Sequence, residues 1–328
     1  MLTTLTLIIP DLNPALAGHG VDTPKWPTLA RLAGRGTVAP RVIDTRLDSL
    51  HAAILDALDL RNVADQYPSA AVTRTGLTNE RAAGFWLRMQ PMHFIAGLDR
   101  ITTVVLRGAA RMTVEERSSL APMFAEHLQS TGIELHAAGD EWLLRSESPL
   151  RLQTVSPEFA AANPHSDILP RGADAGPVRR LMTEMQMLLH EHPVNVRRQA
   201  RGAQAINAVW VHGEGMLSDL TPVSLPAGYG EDPFLRGIYR LHDQTVGTTP
   251  ADAKVLLAQL RGPTVAVIDP PNLDALETQW LAPLARALLS GAFSKLTLMM
   301  NEWRVSADRA DMFKLWRRER PPMEWVAC

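Results

Sequence analysis

Apolar residues recur at three- and four-residue spacing through Val178, Leu181, Met182, Met185, Leu188 and Leu189, with Arg179, Arg180, Glu184 and Glu191 mostly off that stripe. The pattern predicts an amphipathic helix starting at Pro177. Pro193 closes it, because the residue before a proline is pushed out of the α region, so His192 is the expected last helical residue and 194–198 the turn. Residues 206–211 are then apolar on both faces except at Asn207, the mark of a central strand, and they run into His212-Gly213-Glu214-Gly215.

The rest of the chain is placed around this block. Residues 5–9 read as a first strand, closed by Pro10 and followed by Asp11; 27–33 and 45–60 read as helices and 69–73 as a strand. From Phe85 the texture changes to short strands at 92–96 and 102–106, a capping box from Thr113 to Glu116 opening a helix to about residue 130, and a hairpin of 133–137 with 141–145. Beyond the block, strands at 264–268 and 296–300 alternate with helices at 252–260 and 273–289, and 308–320 reads as a final helix. Alternation predicts an α/β fold, a mostly parallel sheet with helices on both faces. Residues 1–84 and 173–328 would form this discontinuous core domain, and 85–172 an inserted, smaller α+β domain.

Composition narrows the partners. The 328 residues are 46% hydrophobic and 21% charged with a formal charge of -2, which fits a globular chain and disfavours nucleic acid. Only four of the 33 basic residues are Lys, an Arg bias that suits anion recognition and also follows from genome composition. The single cysteine, Cys328, has no intrachain partner, residues 1–10 lack the basic n-region of a signal peptide, and no apolar run approaches membrane-spanning length. The expectation is a cytoplasmic protein without membrane contact.

Candidate chemistry concentrates at strand ends. Asp11, Asp269 and Glu302 each follow a predicted strand and His212 ends another, so they would share the carboxyl-edge crevice where open α/β sheets bind ligands. Such acids serve a metal or act as turn and cap residues. His190 and His192, two apart on a helix, do not face one side and are read as packing and termination. Ser49, Ser118 and Ser218 lack a nucleophile-elbow context, so no catalytic residue is assigned. Asn195, Arg197, Arg198 and Arg201 form a cluster suited either to a phosphate or carboxylate or to surface pairing with Glu184 or Glu191. Trp303, Phe313, Trp316, Arg317, Arg318, Arg320 and Trp325 make a C-terminal segment suited to a protein partner or to docking on its own domain.

The string Leu189-His190-Glu191-His192-Pro193-Val194-Asn195, followed by Arg198, Gly202, Asn207, Trp210 and Gly213-Glu214-Gly215, resembles a block of the archaeal-type cofactor-independent phosphoglycerate mutases of the alkaline phosphatase superfamily. Over more of the chain, through Leu169-Pro170-Arg171-Gly172-Ala173-Asp174-Ala175, Glu184-Met185-Gln186-Met187 and the segment Trp86 to His93, it is similar to RpfE-type regulatory proteins, a proteobacterial offshoot of that group. The resemblance implies an alkaline-phosphatase-like fold whose two domains close on a phosphorylated acid. Those mutases use two metals held by several Asp and His residues. Only Asp11 stands in a matching position, followed by Leu12 rather than Gly, and no His lies beyond His242. The implied reading is a catalytically degenerate regulatory or small-anion-binding protein without metal or cofactor. Its ligand, a small phosphorylated or carboxylate anion, would meet Asn195, Arg198, Asn207, His212, Glu214, Asp11 and Asp269, with Arg198 as main charge partner. An active phosphomutase or phosphoester hydrolase with an unconventional site, and a protein-interaction scaffold, are the alternatives.

Overall fold

The computed structural model describes residues 3–12, 26–97, 101–107, 110–300, 302–322 and 324. Two units emerge, one of Met1–Val42, Ala52–Asn62 and Pro222–Cys328, the other of Ile43–His51 and Val63–Thr221. The first unit opens with β1 (Thr4–Ile9) and β2 (Thr37–Pro40). The chain continues in the second unit with β3 (Phe85–Ala96), β4 (Ile101–Val105), β5 (Ile133–Ala138), β6 (Glu141–Ser146) and β7 (Ala208–Gly215). It completes the first with β8 (Ala227–Tyr229), β9 (Val246–Gly247), β10 (Thr264–Val267), β11 (Lys295–Met300) and β12 (Trp303–Asp308).

The first unit is α/β, with a mixed, mostly parallel sheet in the order β2-β12-β11-β1-β10-β8-β9. β1 lies parallel between β10 and β11, Leu7 opposite Ala266 on one side and Leu298 on the other. Leu5, Leu7, Ile8 and Ile9 are all buried, as expected of a parallel strand covered on both faces. The helix Pro27–Arg35 lacks a side-chain cap of its own. Its first turn is held instead by the buried Glu277, whose carboxylate accepts from Thr28 N at 2.6 Å and Leu29 N at 3.3 Å, a negative charge at the positive end of a helix. The expected helix at 308–320 is not formed. Trp303–Asp308 pairs antiparallel with both β11 and β2, and within 309–320 a 3-10 turn, Asp311–Phe313, stands in its place.

The second unit is built on an antiparallel sheet around β3, whose twelve residues pair with β6 and β4 along one edge and β7 along the other. This corrects two expectations. Residues 208–215 are not a strand of the parallel sheet, and the unit is larger than 85–172, because β7 hydrogen-bonds β3 from Trp86 to Met92. A strand apolar on both faces does not announce its partner. The predicted amphipathic helix spans Ala175–His190 and buries Val178, Leu181, Met182, Met185 and Leu189 in one core with Trp210 and Val211. Residues 69–73, expected as a strand, begin the helix Ser69–Thr78. Pro193 starts a second helix, Pro193–Ala200, where a turn was expected, with His192 Nδ1 capping it by accepting from Val194 N at 3.2 Å.

Candidate functional site

The residues expected to bind an anion serve largely as structural ties. Asn195 donates to Leu189 O and Ile206 O and accepts from Ile206 N, each at 2.8 Å, clasping the end of one helix to the approach of β7. Asn207 donates to Phe94 O at 2.8 Å and accepts from Phe94 N at 2.6 Å. Glu214 accepts from the Thr154 amide at 3.1 Å and from its hydroxyl. Arg198, 0% exposed, gives Nη1 to Glu116 at 2.7 Å, Nε to Gln204 O at 2.6 Å and Nη2 to Ala110 O at 2.5 Å. The expectation of Arg198 as main charge partner of a ligand therefore fails: its donors are committed inside the core.

Asp11 and Asp269 follow β1 and β10, neighbouring parallel strands of the first unit, and Asp11 adopts a φ of 56°. His212 and Glu214 belong to the second unit. Among the described residues, no three His, Cys, Asp or Glu side chains gather as a metal set. Of the C-terminal residues, Leu315 and Trp316 are 72% and 80% exposed, and Trp325 lies outside the described residues.

His212 alone leads to a charged cluster. On β3, Arg88 stands opposite His212 of β7. Its Nη2 meets both Glu141 oxygens at 2.8 Å, and its Nη1 meets Asp48 at 2.6 Å and His51 Nδ1 at 3.3 Å. Asp48 in turn lies 3.0 Å from His51 Nδ1 and accepts from the His51 amide at 2.8 Å. Burial opposes ionisation of Asp48, yet His51, Arg88 and that amide bring its carboxyl well below the usual range. Burial, reinforced by Arg88 against the pull of Asp48, pushes His51 and His212 down to about 3, so both rings are neutral at pH 7. His212 is fully buried and neither ring nitrogen has a hydrogen-bond partner among the described residues. Close by in charge terms, burial and then Asp48 raise Glu158 to about 7, although Arg107 holds one of its oxygens at 2.8 Å.

Arg88 and Glu141 also line a pocket of about 150 Å³ with Arg111, Arg117, Asp140 and Trp142. Arg117 is oriented by Met112 O at 2.7 Å and Asp140 at 2.5 Å. Arg88 is already paired with Glu141 and Asp48 and Arg117 with Asp140, and Arg111 adds a further guanidinium to the lining. Sequence reasoning missed these residues. The one signal was Arg88, a charge in the otherwise apolar run Phe85-Trp86-Leu87-Arg88-Met89.

No family model matches the chain. A stretch of 59 residues is 42% identical to the 2,3-bisphosphoglycerate-independent phosphoglycerate mutase of Methanothrix thermoacetophila; it is 18% of this chain and spans 15% of that protein's length. Over that stretch the chain is a relative of the cofactor-independent phosphoglycerate mutases. Two solved structures are similar at 14% identity. A cofactor-independent phosphoglycerate mutase from Thermoplasma acidophilum has a TM-score of 0.44, with 99% of this chain and 94% of that one covered. A Pyrococcus horikoshii protein has a TM-score of 0.45, with coverages of 94% and 87%.

Proposed function

We propose that this relative of cofactor-independent phosphoglycerate mutases is a catalytically degenerate, regulatory protein that binds a small phosphorylated or carboxylate anion at the pocket lined by Arg111 and Arg117 of its second unit. The observation that carries the reading is that Arg111 and Arg117 line one pocket of about 150 Å³, beside Arg88, whose own donors are held by Glu141 and Asp48. Guanidinium groups grip carboxylate and phosphate oxygens in pairs. Glu141 and Asp140 hold the arginines in place and would yield part of that grip to the ligand.

The test is thermal stabilisation by 3-phosphoglycerate, since a ligand stabilises only the state that binds it. The parent protein should melt higher in its presence, and Arg117→Ala should lose that gain while keeping its unliganded melting point within a few degrees. Absence of stabilisation by 3-phosphoglycerate and by other three-carbon phosphorylated acids would remove the reading. Phosphoester turnover in added manganese, with about two metal equivalents bound per chain, would favour the active-enzyme alternative instead. A protein-contact role for the C-terminal segment is a second reading, favoured by the exposure of Leu315 and Trp316.

A further inference from the structure

β5 is the outer strand of its sheet, paired among the described residues with β6 alone. Its register with β6 runs from Ile133 opposite Ser146 to Ala138 opposite Glu141 without a bulge. The two-residue turn makes Ala138 and Glu141 the hydrogen-bonded closing pair, and Gly132 O accepting from Glu147 N at 3.1 Å confirms the same parity at the far end. Residues 134, 136 and 138 thus direct their backbone groups to β6, and Ile133, Leu135 and Ala137 direct theirs to the open edge. Natural sheets blunt such edges with lysine, proline or a bulge. The run Ile133-Glu134-Leu135-His136-Ala137 has no lysine, proline or bulge, and its one carboxylate, Glu134, belongs to a residue whose backbone faces β6.

The run is also self-complementary. If two copies pair antiparallel about Leu135, Leu135 meets its own counterpart and Ile133 meets the partner subunit's Ala137, an apolar row in which every residue has its backbone turned outward. Glu134 meets the partner subunit's His136 on the opposite face. Within one chain Glu134 Oε2 already lies 3.1 Å from His136 Nε2, but that nitrogen makes no hydrogen bond among the described residues. The other face of the strand borders a groove of about 610 Å³, lined by Ser118, Ala121, Pro122, Ala125, Leu135 and Trp142. A two-fold axis normal to the sheet would set the two helices Val114–Leu128 on one side of it, each beside the other's groove.

We propose that β5 is a homodimer edge, two copies of this chain joining their antiparallel sheets through residues 133–137. Every cross-strand pair is then apolar with apolar or carboxylate with imidazole, and the outward backbone groups of Ile133, Leu135 and Ala137 are satisfied.

Sedimentation of the full chain from low to high micromolar concentration tests this. The parent should approach twice the 36.1 kDa chain mass. His136→Glu sets like charges opposite each other twice and should weaken association by about tenfold or more. Glu134→Lys combined with His136→Glu restores opposite charges and should recover the dimer. Ala137→Pro, which removes a donor facing the open edge and none facing β6, should also dissociate it. Far-UV circular dichroism and melting of each variant establish that it is folded. A parent that stays monomeric throughout overturns the proposal, including the case in which the edge takes an extended segment of another protein. A dimer indifferent to His136→Glu and Ala137→Pro overturns it equally.

Discussion

Glu116 lies 2.7 Å from Arg198, with side-chain exposures of 5% and 0%, and it does more than neutralise that guanidinium. The same carboxylate accepts from Thr113 N at 2.9 Å in a capping box and from Arg201 at 2.7 Å. It ties the start of the helix Val114–Leu128 to the helix Pro193–Ala200. Glu116→Gln leaves a buried guanidinium without its counter-charge and should cost about 3–5 kcal/mol of unfolding free energy in urea titrations. A loss below about 1 kcal/mol would mean that Arg198 finds water or another acid.

Much of the local structure was legible because its causes are local. The capping box of Thr113 and Glu116, the stripe from Val178 to Leu189 and the turn between Ala138 and Glu141 each depend on residues within a few turns. What depended on distant segments was not legible. The pair of Arg198 and Glu116 joins residues 82 apart in sequence, so the anion-like cluster around Arg198 gave no sign of its acid. Asp48, His51, Arg88 and His212 come from three separate segments, and His212 was the one member the strand-end argument reached. The helix Ser69–Thr78 is not legible either, because a short Ala, Val and Thr run has no period of its own.

Gly213 follows His212 with a φ of +69°, and a Cβ there would stand 2.1 Å from Ser69 Oγ. Gly213→Ala should destabilise the fold by about 1–3 kcal/mol from backbone strain alone. The clash adds to this, but a serine hydroxyl can rotate away. Ser69→Ala in the same chain should therefore recover only the clash, leaving most of the loss in thermal melts. Full recovery would show that the left-handed backbone is not the constraint.

Trp280 and Trp316 make a paired control for the C-terminal segment, which does not dock as a helix. Trp280 is 4% exposed in the core of the first unit and Trp316 is 80% exposed. Trp280→Ala should cost about 3–5 kcal/mol, and Trp316→Ala should change stability by less than about 0.5 kcal/mol. A large loss on Trp316→Ala would require that this side chain be covered in solution.

The buried imidazoles fix how stability changes with pH. His51 and His212 sit at about 3 in the folded chain against an ordinary 6.5, and Glu158 at about 7 against 4.5. Below 6.5 the unfolded chain takes up two protons that the folded imidazoles refuse, so their contribution is lost as pH falls. Glu158 acts oppositely, because between 4.5 and 7 the folded acid keeps a proton that the unfolded chain has released, and its contribution fades as pH rises. Asp48, held well below the usual range, titrates under this window. Near pH 5.5 the imidazoles outweigh the acid, and His192 and His242, also held below the ordinary value by burial, act in the same direction, which predicts a fall in stability of roughly 1 kcal/mol or more per unit of acidification. Glu158→Gln removes the opposing group and should steepen this by roughly 1 kcal/mol per unit. His212→Leu should flatten it. Because the ring forfeits no hydrogen bond, the same change should also stabilise the protein at pH 7, by about 1 kcal/mol. Urea unfolding of the three proteins between about pH 5 and pH 7 measures the slopes. An unchanged slope in His212→Leu would mean that His212 reaches water or a counter-charge in solution.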